Sequence, residues 1–421
     1  MIETKTLLPG VTLRTCRDDR FKQGCLSIQL VRPMAKTESA GNVLIPSVLL
    51  RGTRRCPDLR AITEELDTLY GASVSPLVRR VGDYQTTGLY CGFMDDRFAL
   101  PGDRVLEPMI RFAGEILLDY PTEKEGFLPA FVESEKKNLI STIESELNDK
   151  RTYAMGRLLK IMCRADSYGL PRLGEPEDVA AAQPETLLSH YKKILRESPV
   201  EIFYVGSADA QQVEAYLSPL LSRLGGRQTT LPPQTPFHPC PGQDVTETME
   251  VSQGKLGMGF VTPITNRDPE FPAMQVFNTV FGAGMTSKLF LNVREKLSLC
   301  YSVGSSYYGA KGIVTVSAGI DFDKEQLTKQ EILRQLDACC RGSITEEELT
   351  AGKEAILSSL RATHDSPGAI EGYYATGSLS GMNLTPEDYM AAVEQVTLEQ
   401  VVAAAQTVTL HSTYFLKGES Q

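Results

Sequence analysis

"PEDVAAAQPETLLSHYKKILRESPVEIFYVG", Pro176 to Gly206, has a counterpart in "PEDYMAAVEQVTLEQVVAAAQTVTLHSTYFLKG", Pro386 to Gly418. Pro-Glu-Asp, Thr-Leu and a glycine-terminated apolar run recur in the same order, offset by 210, 211 and 212 residues. A period of this size signals duplication of a domain, not a solenoid of short repeats. Further back the match is looser but keeps its order. A strand near Cys25–Val31 answers one near Leu256–Thr262. The helix "RVLEPMIRFAGEILLDY" answers "EQLTKQEILRQLDACC", and "FVESEKKNLISTIESEL" answers "EEELTAGKEAILSSLRA".

Between the copies lies "GGRQTTLPPQTPFHPCPGQD", Gly225 to Asp244, whose five prolines exclude a helix or a central strand. The expected organisation is therefore residues 1–224, a Pro-rich linker 225–244, and residues 245–421. Within each copy, alternating or β-branched runs such as Gly24–Val31, Thr86–Phe93 and Gly312–Ile320 predict strands. Leu106, Met109, Ile110, Ala113, Ile116 and Leu117 form one apolar helical stripe. The fold class is α+β: two duplicated layered domains, each an antiparallel-rich sheet covered by helices on one face.

The bulk properties narrow the function. The 421 residues carry a net charge of −10, which disfavours a nucleic-acid surface. No apolar run is long enough to span a bilayer, and the N-terminus lacks the layout of a signal peptide. Nine cysteines without a C-x-x-C read as reduced, mostly buried thiols, so a cytoplasmic location is expected. The four histidines, His190, His238, His364 and His411, do not fall within one helical turn of each other, and read as surface or hydrogen-bonded residues. "FGAGMTSK" (Phe281–Lys288) lacks the G-K-[ST] ending of a phosphate loop and reads as a glycine turn before a helix. The acids of "VESEKKNLISTIESELNDK" (132–150) are interleaved with lysines and read as a solvated helix face.

Two stretches carry a resemblance. "GAGMTSKLFLNVREKLSLCYSVGSSY" (Gly282–Tyr307) and "RGTRRCPDLRAITEELDTLYGASVS" (Arg51–Ser75) resemble segments of the inverzincin metallopeptidases, the family of insulinase, pitrilysin and the mitochondrial processing peptidase. The likeness extends over essentially the whole chain, and in small bacterial members such a chain is one half of a two-chain clam shell. The family's catalytic helix carries H-x-x-E-H shortly before a Gly-Thr pair. Two imidazoles one turn apart grip Zn²⁺ while the Glu serves the metal-bound water. Counted back from Gly52-Thr53, those positions here are Val43, Pro46 and Ser47. Val43 has no lone pair, Pro46 no base, and Ser47 is a poor zinc ligand. Asn42 is expected to cap the helix, which would leave Pro46 near its first turn, where proline costs least. The third ligand, a Glu on a later helix, falls on Thr142 when Glu135 is taken as the preceding acid; Glu144 is close by.

Other features are retained. Arg294 and Tyr301 match the family's Arg/Tyr pair that holds substrate, and both side chains can donate to a peptide carbonyl or the oxyanion formed from it. Arg294 would close a helix and Tyr301 open the next strand. Alternatively, Arg294 pairs with Glu295 or a helix end, and Tyr301 is a core residue. Gly282 and Gly284 correspond to a glycine-rich loop that lies near substrate in a related non-catalytic chain.

The resemblance implies an inactive subunit that binds no catalytic zinc of its own. It would line the chamber of a heterodimer whose other chain supplies H-x-x-E-H, and peptide would be the substrate. A homodimer in isolation is also expected to be accessible. A scaffold that binds a peptide or partner with no proteolysis is the rival expectation, and an independent cysteine hydrolase a third.

Overall fold

A computed structural model describes residues 2–146, 148–227 and 230–418. Leu147, at the end of the expected 131–147 helix, and Gln228 and Thr229 of the linker lie outside the described residues. In chain order the strands are β1 (Ile2–Leu8), β2 (Val11–Arg17), β3 (Gln23–Pro33), β4 (Ser73–Val81), β5 (Tyr84–Met94), the short β6 (Thr122–Glu123) and β7 (Gly126–Phe127), and β8 (Val200–Gly206). They continue with β9 (Asp244–Thr248), β10 (Gly254–Val261), β11 (Cys300–Tyr308), β12 (Ile313–Ile320) and β13 (Thr409–Lys417). The helices of the first half are α1 (Lys36–Leu49), α2 (Leu59–Thr68), α3 (Leu106–Leu118), α4 (Pro129–Glu146), α5 (Lys150–Met162), α6 (Pro176–Ala181), α7 (Pro184–Glu197) and α8 (Ala210–Leu224). Those of the second half are α9 (Phe271–Phe281), α10 (Glu325–Cys340), α11 (Glu346–Ala362), α12 (Pro367–Ser380), α13 (Pro386–Glu394) and α14 (Leu398–Gln406).

The duplication is visible in the sheets. One has the order β1-β2-β8-β3-β5-β4, the other β11-β12-β10-β13-β9. β3 answers β10, β5 answers β12, and β8 answers β13. In each sheet one strand runs parallel to its neighbour, β2 beside β8 and β9 beside β13. The other ladders are antiparallel.

The compact units are not the contiguous halves that the repeat suggests. One unit comprises Met1–Ile143, Arg172–Pro233 and His364–Thr376, the other Glu144–Pro171, Gln234–Thr363 and Gly377–Gln421. Linker residues are divided between Pro233 and Gln234, but each unit also takes a segment coded by the other half.

The reason lies in the central strands. β3 is buried on both faces. Leu26, Ile28 and Leu30 face the large core built with α1, α3, α7 and α8. The alternate residues face the other way, as strand periodicity requires. Cys25 packs with Ile370, while Ser27 and Gln29 donate to the carboxylate of Glu371, at 2.6 and 3.3 Å. Arg79 of β4 holds both Glu371 oxygens, at 2.8 and 2.7 Å. The expectation of helices on one face only is thus incomplete, because residues 364–376 cover the second face.

In the other unit α5 does the same for β10. Glycines alternate with Leu256, Met258 and Phe260, and they open a trough on the α5 side. A Cβ on Gly259 would fall 2.0 Å from Met162 Sδ, and one on Gly257 3.2 Å from Leu158. Glu247 of β9 accepts from Tyr153 of α5 (2.6 Å), Arg157 (3.1 Å) and Tyr414 (2.8 Å). Just beyond α5, the buried Asp166 carboxylate pairs with the buried Lys311 ammonium at 2.9 Å.

Two outcomes follow for unfolding midpoints in guanidinium. Gly259→Val forces a branched side chain into Met162 and costs about 1–3 kcal/mol, and the added Met162→Ala recovers part of it. Glu371→Ala leaves the half-buried Arg79 guanidinium without its carboxylate and costs about 1–3 kcal/mol, whereas Arg79→Met with Glu371→Leu costs clearly less.

Candidate functional site: a helix without its metal ligands

The helix that would carry the ligands, α1, begins at Lys36 after Ala35, with no side-chain cap. Asn42 does not cap it. Asn42 lies mid-helix, fully buried, and Pro46 sits in the third turn rather than at the edge of the first. The cost of an interior proline is a missing N–H for the carbonyl four residues earlier. Here that carbonyl belongs to Asn42, and the Thr87 hydroxyl of β5 donates to it at 2.7 Å. The orphaned acceptor is satisfied from the sheet.

The Asn42 side chain sits in a polar relay with one consistent direction. Its amide donates to Gln85 Oε1 at 2.8 Å, so its own oxygen is the acceptor facing His190 Nε2, also at 2.8 Å. His190 must therefore carry its proton on Nε2. Gln85 passes the chain on to the Arg172 carbonyl at 3.1 Å. Burial pushes the His190 imidazole below its ordinary range, which keeps it neutral at pH 7.

These residues do not fit a zinc ion. Val43 and Pro46 are buried and offer no donor atom, Ser47 is half-buried, and Thr142 is exposed with its hydroxyl turned back to the Asn138 carbonyl at 2.9 Å. Glu135 is held by Arg51, which follows α1, so this acid is already engaged. No group of three metal-ligating side chains occurs among the described residues. The α4 surface is solvated as expected except at Glu135 and at Lys136, which reaches Glu133 and the Ala182 carbonyl at 2.8 and 3.1 Å.

The Arg/Tyr pair occupies the second unit. Arg294 lies in the last turn of a π-helical segment, Leu289–Lys296, a wide-turn form the sequence pattern does not distinguish from an ordinary helix. Its guanidinium stacks on Phe290, 4.7 Å from the ring centre, and lies 3.4 Å from Glu295, as the structural alternative expects. Tyr301 is not a core residue. The β11–β12 ladder slips between Cys300 and Ser302, so Tyr301 is a bulged residue and is 61% exposed. Its hydroxyl donates to Asp321 at 2.8 Å, and that bond raises its pKa. Arg294 stands close enough to Cys300 for its charge to act on that thiol. No bond joins Arg294 directly to Tyr301.

Gly282 ends α9, and a Cβ there would strike Leu289 and Ser305 at about 2.7 Å. Gly284 has open space around it. Lys288 is buried against the Glu348 carboxylate, at 2.8 and 2.9 Å, and is committed there rather than to a phosphate. Sequence reading missed how much apolar side chain this segment exposes. Seven of the twelve exposed large hydrophobic side chains among the described residues fall between Met285 and Leu333, including Leu297, Tyr301 and Phe322. The cysteines offer no counterpart: burial pushes the Cys25, Cys91 and Cys339 thiols up to about 12.

Comparison with known proteins agrees with this geometry. Residues 181–356 match the family model described as "Peptidase M16 inactive domain". The chain is thus similar to the M16 metallopeptidases, to inactive-type members and to zinc proteases among them. It is 29% identical over 416 residues, 99% of this chain and 98% of the relative, to the "Probable inactive metalloprotease YmfF" of Bacillus subtilis. It is also 27% identical to the "Uncharacterized zinc protease YmxG" of that organism, over 57% of this chain and 58% of the relative. Among solved structures, a conserved protein from Enterococcus faecalis V583 superposes with a TM-score of 0.92 at 26% identity, covering 100% of this chain and 99% of that one. A peptidase M16 inactive domain from Pseudomonas fluorescens shares the fold, with a TM-score of 0.81 at 17% identity, covering 100% of this chain and 98% of the other.

The proline compensation is testable by a double-mutant cycle. Thr87→Val leaves the Asn42 carbonyl unpaired and costs about 1–3 kcal/mol. In a Pro46→Ala background the backbone N–H returns and the same change costs markedly less, as read from urea unfolding midpoints.

Proposed function

We propose that this chain is the non-catalytic subunit of a two-chain zinc metallopeptidase. A separate H-x-x-E-H chain would supply the zinc and the chemistry. This chain would contribute a wall of the peptide-binding chamber, with Arg294 and Tyr301 presented to the substrate. The observation that supports this most is a contrast within one molecule. The positions of the metal ligands hold Val43, Pro46 and Ser47, yet Arg294 and Tyr301 remain accessible to solvent. A guanidinium and a phenol are suited to a polarised carbonyl or an oxyanion. The exposed apolar residues from Met285 to Leu333 suit an extended peptide or a partner chain. Gly284, unobstructed beside the exposed Met285, suits a loop that guides such a peptide. A cytoplasmic location belongs to the same proposal, and no helix among the described residues is long and apolar enough to cross a membrane.

One observation favours a second reading, a scaffold with no proteolytic role. Arg294 and Tyr301 each lean on a neighbour of their own, Glu295 and Asp321. In that reading, a homodimer of this chain would take the place of the heterodimer.

The test is to co-express the chain with an H-x-x-E-H homologue from the same cytoplasm and assay a peptide pool. The mixture should cleave where neither chain alone does. Arg294→Ala with Tyr301→Phe should lower kcat/KM by roughly 100-fold while the two chains still co-elute. A stable complex that cleaves nothing supports the scaffold, and full activity of the double variant removes the clamp role.

A further inference from the structure

The "RGTRR" stretch that follows α1 has a role the missing metal site does not explain. Thr53–Cys56 form a tight turn: the Thr53 N–H donates to the Cys56 carbonyl at 2.6 Å, and the Cys56 N–H to Thr53 Oγ1 at 2.9 Å. Gly52 is required beside it, since a Cβ there would lie 2.7 Å from the Pro57 carbonyl oxygen. The turn is fastened to α3. Thr53 Oγ1 donates to Glu115 Oε1 at 2.5 Å, Arg55 Nε to Glu115 Oε2 at 2.9 Å, and the Arg54 N–H to the Asp119 carbonyl at 2.8 Å. Its tip, Arg54 and Arg55, stands at one end of a groove of about 350 Å³ between α3 and α8. The helices close in below it, where a Cβ on Gly114 would touch Leu220 at 3.6 Å.

Four arginines line this groove: Arg54, Arg55, Arg111 and Arg223. Only two carboxylates do, and all four of their oxygens are occupied. Glu115 accepts from Thr53 and Arg55. Asp119 accepts from both Nη atoms of Arg223, at 2.8 and 2.7 Å, which holds its pKa below the usual carboxylate range. Arg54 and Arg111, both exposed, make no side-chain hydrogen bond or ion pair among the described residues. Through space, Arg54 acts on Asp119 and Tyr120, and Arg111 on Glu65. Two uncompensated guanidiniums thus flank a floor of Ile110, Leu118, Pro219 and Leu220, in a protein of net charge −10.

We propose that this groove is a docking site for a peptide segment in which acidic residues alternate with large apolar ones. Arg54 and Arg111 would each pair with a carboxylate of the segment, and the floor would take the apolar side chains. Arginine clusters recognise acidic motifs through planar, two-pronged hydrogen bonding. A bare inorganic anion would leave the apolar floor wet. The groove is built wholly within the first unit and does not depend on the assignment of Arg294 and Tyr301.

The probe is a dye-labelled decapeptide of alternating Glu and Leu, followed by fluorescence anisotropy against the full chain. Binding should be saturable. It should weaken roughly tenfold for Arg54→Ala or Arg111→Ala alone and about 100-fold for both. The circular dichroism spectrum should be unchanged, because both residues are exposed. A Lys/Leu peptide should not bind, and a Glu/Ser peptide should bind more weakly. The proposal is overturned if the Glu/Leu peptide fails to bind, if the double variant binds as well as the parent, or if the Lys/Leu peptide competes. Equal affinity for Glu/Ser together with ready displacement by pyrophosphate would show a general anion site and would also overturn it.

Discussion

The central strand of each sheet is buried on both faces, and most of the architecture answers to that condition. A strand with two dry faces needs two layers of partners. The helices between the strands supply one layer. The other comes from segments 364–376 and 144–171, each coded in the opposite half of the chain. The two solutions differ chemically. β3 meets its helix with Ser27, Gln29 and the Arg79–Glu371 pair, a polar contact in which both Glu371 oxygens are satisfied while Gln29 Oε1 is left without a partner. β10 meets its helix through absent side chains, with Gly257 and Gly259 letting Leu158 and Met162 approach the backbone. One is fixed by hydrogen-bond geometry and the other by close packing, so each specifies its partner by its own means.

The same logic of satisfied groups accounts for α1. In a zinc peptidase the metal would organise this helix and its neighbours. Here the Asn42–Gln85–His190 relay and the Thr87 hydroxyl hold the helix to β5 and α7 instead. Each buried polar atom in that chain has a partner, and the proline that removes one donor is matched by a hydroxyl that replaces it. The exposed Arg294 and Tyr301, by contrast, sit on a π-helical turn and a strand bulge, two irregularities that aim side chains outward.

Much of this was legible in the residues. The repeated Pro-Glu-Asp, Thr-Leu and terminal strands located β8 and β13 and implied matching sheets. The alternation in Gly24–Val31 and Gly312–Ile320 marked β3 and β12. The exchange of segments was not legible, because nothing in the residues of α5 or α12 names the sheet on which they dock, and only tertiary packing assigns it. Asn42 misled for a physical reason. An asparagine before an apolar run looks like an N-cap, yet its side chain serves a long-range relay, and α1 starts without a side-chain cap at Ala35. The bulge at Tyr301 has no sequence signature either, since it depends on how β11 registers against β12.

Pro46 also acts as a ratchet on the history of this protein. Regaining a metal-binding helix would need imidazoles at 43 and 47 and a carboxylate at 46. At 43 and 46 each step would place an ionisable group at a position that is now buried and apolar, before any ion could offset it. Meanwhile Thr87 has become the donor on which the backbone depends. Packing at Pro46 and its neighbours thus weighs against a metal site at these positions quite apart from the missing donor atoms.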